Sequence, residues 1–165
     1  MNLFFGGKLM ESGILPVNIT NADQVGIVVK NLDSAMEQFK LLLGVENFEV
    51  VDWPKPGTDP ESTYYGKPAH FELKIGFTQL GVLQLELIQP VKGKSIFSDF
   101  LETHGPGLHH IRFCEKNFNQ KVEQLQKAGI KMISSGRGIR SASIWACFDT
   151  TQLLGGIFIE LRTAL

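Results

Sequence analysis

Four side chains able to bind a metal or move a proton interrupt stretches that otherwise alternate like half-buried strands. They are Gln24 in Gln24-Val25-Gly26-Ile27-Val28-Val29, Glu86 in Leu83-Gln84-Leu85-Glu86-Leu87, His110 in Leu108-His109-His110-Ile111, and Glu160 in Ile157-Phe158-Ile159-Glu160-Leu161. Successive strand side chains point to opposite faces. On that rule Leu83, Leu85 and Leu87 share one face, and Gln84, Glu86 and Ile88 the other. Ile157, Ile159 and Leu161 likewise oppose Phe158, Glu160 and Arg162. Val25, Ile27 and Val29, with Ile111 and Phe113, leave Gln24 and His110 on the far face. The aliphatic faces suit packing under helices; the polar faces must point elsewhere. Two carboxylates, an imidazole and an amide oxygen make an oxygen-rich donor set whose charge of about −2 balances a divalent ion. The same groups can do acid–base chemistry, and any one of them alone reads as a solvated strand residue.

An internal repeat brings the four together. With Gln24 placed over His110, an offset of 86, Val25 meets Ile111, Ile27 meets Phe113, Asn31-Leu32-Asp33 meets Asn117-Phe118-Asn119, and Met36-Glu37-Gln38-Phe39 meets Val122-Glu123-Gln124-Leu125. Toward the ends of the two copies Gly81 to Leu87 meets Gly155 to Leu161 at an offset of 74. The long segment in the first copy absorbs the difference. Equivalent residues of two copies converge across a pseudo-twofold axis, so the four donors are expected in one cleft.

The elements that must position them follow from periodicity and breakers. Gln24 to Val29 reads as a strand. Asn31-Leu32-Asp33-Ser34 is a capping signal, Ala35 to Leu43 a helix, and Gly44 its stop. Strands are expected at 48–51, 70–79 and 82–89, with a turn at Gly81. Trp53 to Lys67, with Pro54, Pro56 and Pro60, reads as a long loop whose Tyr64-Tyr65 pair either lines the cleft or covers the core. Ser95 to Glu102 is a short helix and Gly105-Pro106-Gly107 a turn. The second copy then gives a strand (108–114), a helix (117–127) stopped by Gly129, and strands at 131–133, 143–148 and 157–161. The fold class is α+β: two βαβββ modules, about 22–92 and 106–163, forming a curved mixed sheet with a central cleft. Residues 1–21 form an N-terminal extension, and 22–163 the domain.

The 165 residues, 43% hydrophobic and 20% charged, suit one globular unit. A formal charge of −1 gives no field to gather nucleic acid or anionic lipid. No stretch reaches the roughly 18 apolar residues of a membrane span, and the start lacks a signal-peptide pattern. A cytoplasmic location is expected, with Cys114 and Cys147 as reduced thiols.

Gln24 to Asp33, Glu86-Leu87-Ile88-Gln89-Pro90, Gly107-Leu108-His109-His110-Ile111 and Gly156 to Leu161 together resemble the vicinal-oxygen-chelate superfamily, which contains glyoxalases, methylmalonyl-CoA epimerases, extradiol dioxygenases and bleomycin-resistance proteins. The resemblance covers about residues 22–163 and is nearest to methylmalonyl-CoA epimerases and their uncharacterised relatives. It implies one divalent ion (Zn, Co, Ni, Mn or Mg) held by Gln24, Glu86, His110 and Glu160. Gln24 stands where the epimerases carry His, although some glyoxalase I enzymes use Gln there. The repeat register selects His110 over His109, whose side chain is then expected on the opposite face in a structural role. Four protein ligands leave two positions of an octahedron for a substrate with neighbouring oxygens. The ion would act as a Lewis acid on the enolate while a carboxylate takes the proton. Glu160 is the first candidate base; the resemblance points to Glu72 as the second. Arg137, Arg140 and Lys67 are loop cations that can meet an acidic substrate such as a CoA thioester, or simply be solvated. The resemblance implies an epimerase-like isomerase or lyase working as a homodimer. The rival readings are a glyoxalase I-type lyase and a non-catalytic small-molecule binder; an extradiol dioxygenase is disfavoured because it needs a second His.

Overall fold

The computed structural model describes residues 17–139 and 143–163. The described elements are β1 (Ala22–Val28), α1 (Leu32–Leu43), β2 (Glu49–Trp53), β3 (Thr63–Tyr64), β4 (Lys67–Pro68), β5 (Glu72–Leu80), β6 (Leu83–Lys92), α2 (Ile96–His104), β7 (Gly107–Glu115), α3 (Phe118–Lys127), β8 (Met132–Arg137), β9 (Ile144–Phe148) and β10 (Phe158–Thr163). Helix α1 begins where Asn31 Oδ1 accepts the Ser34 amide and ends at Gly44, in the left-handed region at φ 69°. In α2, Ser95 and Ser98 bond reciprocally as a capping box. The N-terminal extension is described only from Val17 onward; Val17 and Ile19 pack beside the α3 core.

All ten described strands form one mixed sheet in the order β2-β5-β6-β1-β7-β10-β9-β8-β3-β4. The first four and the next four strands repeat one arrangement, joined by the antiparallel β1–β7 pair. Its register carries the twofold axis. Val25 pairs with Ile111, while Gln24–Arg112 and Gly26–His110 are the two exchanged pairs. The parallel pairs agree: Gly26 faces Glu86 between β1 and β6, and Arg112 faces Glu160 between β7 and β10. Both halves therefore build one cleft within one chain.

Each half buries its aliphatic face under its helix. Leu85 and Leu87 pack with Val25, Ile27 and Leu32 under α1. Phe148, Ile159 and Leu161 pack with Phe118 and Leu125 under α3. Burying one such side chain contributes about 1.5–3 kcal/mol, which fixes the strand registers and forces the alternate residues into the cleft. Helix α2 lies on the cleft side, its Ile96, Phe97 and Phe100 sharing a core with Val28, Ile88 and Trp53.

The segment expected as a loop at 53–67 contains the β3 strand and the start of β4. This hairpin crosses to the far end of the sheet, where Thr63 and Tyr64 pair with Ser135 and Ser134 of β8. Around it the two ends of the sheet meet. The Trp53 and Trp145 indoles both donate to the Arg137 carbonyl at 3.2 Å, and their rings lie 6.1 Å apart. Tyr64 donates to Asp99 of α2 and covers the core; neither tyrosine lines the cleft.

Candidate metal centre

The cleft has a volume of about 670 Å³. Strands β6, β1, β7 and β10 form its floor. Glu86 and Glu160 line it with His110 buried beneath their carboxylates. Gln24 is buried on β1 two residues from Gly26, the partner of His110. The His110 ring is fully buried, with Nε2 3.4 Å from Glu86 Oε2 and 3.7 Å from Glu160 Oε2. It lies flat over Gly26, its antiparallel partner: a Cβ there would fall 2.5 Å from Nδ1, 2.6 Å from Nε2 and still closer to Cε1. Only glycine leaves room for the ring. Gln24 is also fully buried, and its Nε2 donates to Gln84 Oε1 at 2.7 Å. That bond uses one of the two amide hydrogens, and Oε1 is a buried acceptor without a partner among the described residues.

His109 is placed differently from the sequence expectation. The β1–β7 register shifts between Gly26 and Ile27, and this bulge turns His109 under α2 instead of to the opposite face. Its ring stacks on Phe158 at 4.6 Å and contacts Phe97 and Phe100. Its Nδ1 lies 3.1 Å from His110 Nδ1. Burial, and then the neighbouring His110, push the His109 pKa well below the ordinary value, so it stays neutral. Its structural role holds and gains a purpose: holding Nδ1 of His110 leaves Nε2 facing the carboxylates.

Among the described residues, no group of three His, Cys, Asp or Glu side chains is placed to hold a metal ion by itself. The chemistry of the donor set, two carboxylates, an imidazole and an amide oxygen, nevertheless suits a divalent ion. Ligands bound at about 2.0–2.2 Å lie roughly 3–3.6 Å from one another, close to the separations around His110. Gln24 Oε1 is buried without a hydrogen-bond partner among the described residues, a state that costs about 1–3 kcal/mol and that a bound cation would relieve.

Electrostatics mark the same groups. Burial raises the Glu160 pKa and the Glu86 charge adds to it, outweighing the lowering by His110, Arg112 and Arg162. Burial pulls His110 down, but the Glu160 and Glu86 carboxylates outweigh it and hold it above its ordinary value. Cys147 pairs with Glu160 across β9–β10, and burial with those carboxylates keeps its thiol neutral. Both cysteines are free.

Glu72 is not brought to this site. It stands at the start of β5, exposed and 3.5 Å from Lys92, with a register shift between it and Leu73. The residues that β5 presents to the cleft are Leu73, Ile75, Phe77 and Gln79; Glu72 has the other parity, which corrects its expected role. The carboxylate that does line this wall is Glu49 of β2. Of the expected loop cations, the two described ones, Arg137 and Lys67, do not line the cleft. Arg137 is exposed and paired with Glu61, Lys67 is exposed on the hairpin, and Arg140 lies outside the described residues. Among the described residues, the cations that line it are Lys55, Arg112 and Arg162. Alternation could have found two of these, since Arg112 is two residues from His110 and Arg162 two from Glu160.

Arg112 is held by Asp23, with Nε and Nη2 donating to the two carboxylate oxygens at 2.9 Å. Burial raises the Asp23 pKa, but Arg112, Cys114 and Arg162 outweigh it, and the net pKa is depressed. A depressed carboxylate stabilises the fold above its unfolded pKa of about 3.9, and that stability is lost as pH falls through the lower folded value. The stability difference between the protein and its Asp23→Asn variant is therefore expected to be constant near neutrality and to shrink below about pH 4. Urea unfolding at pH 7 and pH 3 measures it; a gap that widens in acid contradicts the assignment.

The chain matches the model of the glyoxalase/bleomycin resistance protein/dioxygenase superfamily over residues 23–148 and belongs to that superfamily. Within it the chain is similar to methylmalonyl-CoA epimerases. It is 27% identical over 148 residues to the human mitochondrial methylmalonyl-CoA epimerase, covering 89% of this chain and 76% of that one. It is 26% identical over 143 residues to the uncharacterized protein YqjC of Bacillus subtilis, covering 84% and 89%. A solved structure of a Streptomyces coelicolor methylmalonyl-CoA epimerase variant with 2-nitronate-propionyl-CoA superposes with a TM-score of 0.63 at 21% identity, over 89% of this chain and 99% of that one. A methylmalonyl-CoA epimerase in complex with methylmalonyl-CoA and NH4+ gives 0.63 and 21%, over 89% and 96%. These neighbours share the curled α+β sheet.

Proposed function

We propose that this chain is an epimerase-like enzyme that moves a proton at the carbon next to a carbonyl or thioester group. Gln24, Glu86, His110 and Glu160 would hold one divalent ion of the Zn, Co, Ni, Mn or Mg type. The observation that carries this reading is the buried Glu160 carboxylate, its pKa raised, 3.7 Å from the buried His110 Nε2, which lies between it and the Glu86 carboxylate. A bound ion supplies Lewis acidity toward the substrate's carbonyl oxygen. Glu160 takes the proton, and its raised pKa brings it nearer the working range of a general base. His109 keeps the His110 ring oriented, Gln84 orients Gln24, and the apolar wall of β5 keeps water from the reacting carbon.

A two-base epimerisation needs a donor on the second face of the carbon, and Glu72 is not placed for it. The cleft-facing Leu73, Ile75 and Phe77 favour a second reading, a one-base isomerase or lyase in which Glu160 returns the proton itself. Stereochemistry separates the two.

The test has two parts. Protein purified without chelator should carry about one divalent ion per chain, lost on His110→Ala, because four such donors suffice for a site. Incubated in D₂O with methylmalonyl-CoA, or with a hemithioacetal, it should place deuterium at the carbon next to the carbonyl. Uptake with racemisation supports two bases, with Glu49 the first residue to test; uptake with retention supports one. Protein that takes up no metal on reconstitution sinks the metal assignment. Tight binding of both substrate classes with no deuterium uptake makes the chain a binder.

A further inference from the structure

The cleft has two unlike walls. Its floor, from β6, β1, β7 and β10, presents Gln84, Glu86, Arg112, Glu160 and Arg162. Facing them, β2 and β5 present an apolar stretch of Trp53, Leu73, Ile75 and Phe77, with Glu49 and Gln79 beside Phe77. Trp53, Leu73 and Ile75 are each at most 5% exposed to solvent yet border the open volume. Such a wall is matched by apolar ligand surface rather than by water.

Charge on the floor is not fully spent. Arg112 is satisfied by the Asp23 carboxylate. Arg162 is not: its Nη2 reaches only the Cys114 sulfur at 3.2 Å and, at 3.8 Å, the oxygen of Asp23 already bonded to Arg112. Its buried Nε has no hydrogen-bond partner among the described residues. A guanidinium is a planar fork matched to a carboxylate, and this one lines the cleft two residues along β10 from Glu160. Among the described residues four acidic and three basic side chains line the cleft, and one divalent ion would shift that balance toward positive charge.

We propose that the ligand of this cleft is a small organic acid. Its carboxylate is received by Arg162, and it carries an apolar group larger than methyl that lies against the β2–β5 wall. The inference deepens the proton-transfer reading and rests on it only for where the reacting carbon lies. The carboxylate and the apolar group are read from Arg162 and from the wall.

Equilibrium binding tests it without turnover. Calorimetry with 3-phenylpropionate and with propionate, on the metal-free and on the Co²⁺-loaded protein, compares one carboxylate with and without a large apolar group. 3-Phenylpropionate should bind at least about tenfold more tightly. Arg162→Met should weaken both acids by about tenfold or more, and Arg162→Lys less, since Lys keeps the charge but loses the fork. Phe77→Gln, at a half-buried wall position, should erase the preference while leaving propionate unchanged. Thermal unfolding confirms that each variant is folded. Equal affinity for the two acids overturns the apolar half of the proposal. Unchanged binding by folded Arg162→Met overturns the carboxylate half, as does inorganic phosphate binding as tightly as propionate, which would make this a phosphate subsite. Predicted binding with no deuterium uptake upholds the ligand class and sinks the enzyme reading. Failed binding alongside deuterium uptake from methylmalonyl-CoA does the reverse.

Discussion

Glu160→Gln is expected to lower the rate of deuterium uptake at the substrate carbon by about 10²- to 10⁴-fold, the usual contribution of a general base. The substitution is nearly isosteric, and an amide cannot accept the proton. The site around it predicts little structural loss. Glu160 sits on β10 between Ile159 and Leu161, which anchor the strand under α3, and its backbone pairs with Arg112 and Cys147 are untouched. Removing a buried carboxylate whose pKa is raised by desolvation also removes an unfavourable charge. The variant should therefore unfold no earlier than the parent in the absence of metal. Because Glu160 is also a proposed ligand, metal occupancy must be measured on the same sample. A variant that keeps its ion and loses the rate identifies the base. One that keeps the full rate removes Glu160 from the chemistry, whatever its occupancy.

The twofold could be read from the chain because it is written in side-chain types. The offset of 86 that lays Gln24 on His110 reappears as the exchanged pairs Gln24–Arg112 and Gly26–His110 around Val25–Ile111. The offset of 74 reappears as Glu86 beside Gly26 and Glu160 beside Arg112. Strict alternation on β6 and β10 placed both carboxylates, since burial of Leu85, Leu87, Ile159 and Leu161 leaves no other register.

What escaped were departures from that regularity. The bulge at His109 adds one residue without changing the apolar pattern, so alternation assigned the ring to the wrong face. The shift beside Glu72 lies at a strand end, where an irregular register between Glu72 and Leu73 cannot be read from residue types, and the resemblance alone could not supply it. The β3–β4 hairpin is held by backbone bonds to β8, some 70 residues away in sequence; its prolines and glycines advertise only a loop. Arg112 and Arg162 were on the right faces, but an arginine in a strand does not reveal whether Asp23 satisfies it.

Gly26 shows how a residue without a side chain can decide whether the site exists. Its φ is not among the left-handed values that would demand glycine, so alanine suits the backbone and the whole effect falls on what the methyl meets. That is the His110 ring, at 2.5 and 2.6 Å from its two nitrogens. The ring cannot retreat, because His109 and Phe97 pack against it. Gly26→Ala should therefore swing Nε2 away from Glu86 and Glu160 and weaken divalent-ion binding by about 10- to 100-fold, the scale set by losing ligand orientation, with an overpacking cost of about 1–3 kcal/mol. Gly76→Ala is the control. Its Cβ would meet Leu32 Cδ1 at 3.1 Å and Met36 Sδ at 3.3 Å on the helix side of the sheet. It should lower stability and leave metal affinity unchanged. Co²⁺ titration followed by its absorption bands, with urea unfolding of the same samples, separates the two effects. Equal losses of affinity in both variants would reduce Gly26 to a packing residue, and wild-type affinity in Gly26→Ala would remove His110 from the ligand set.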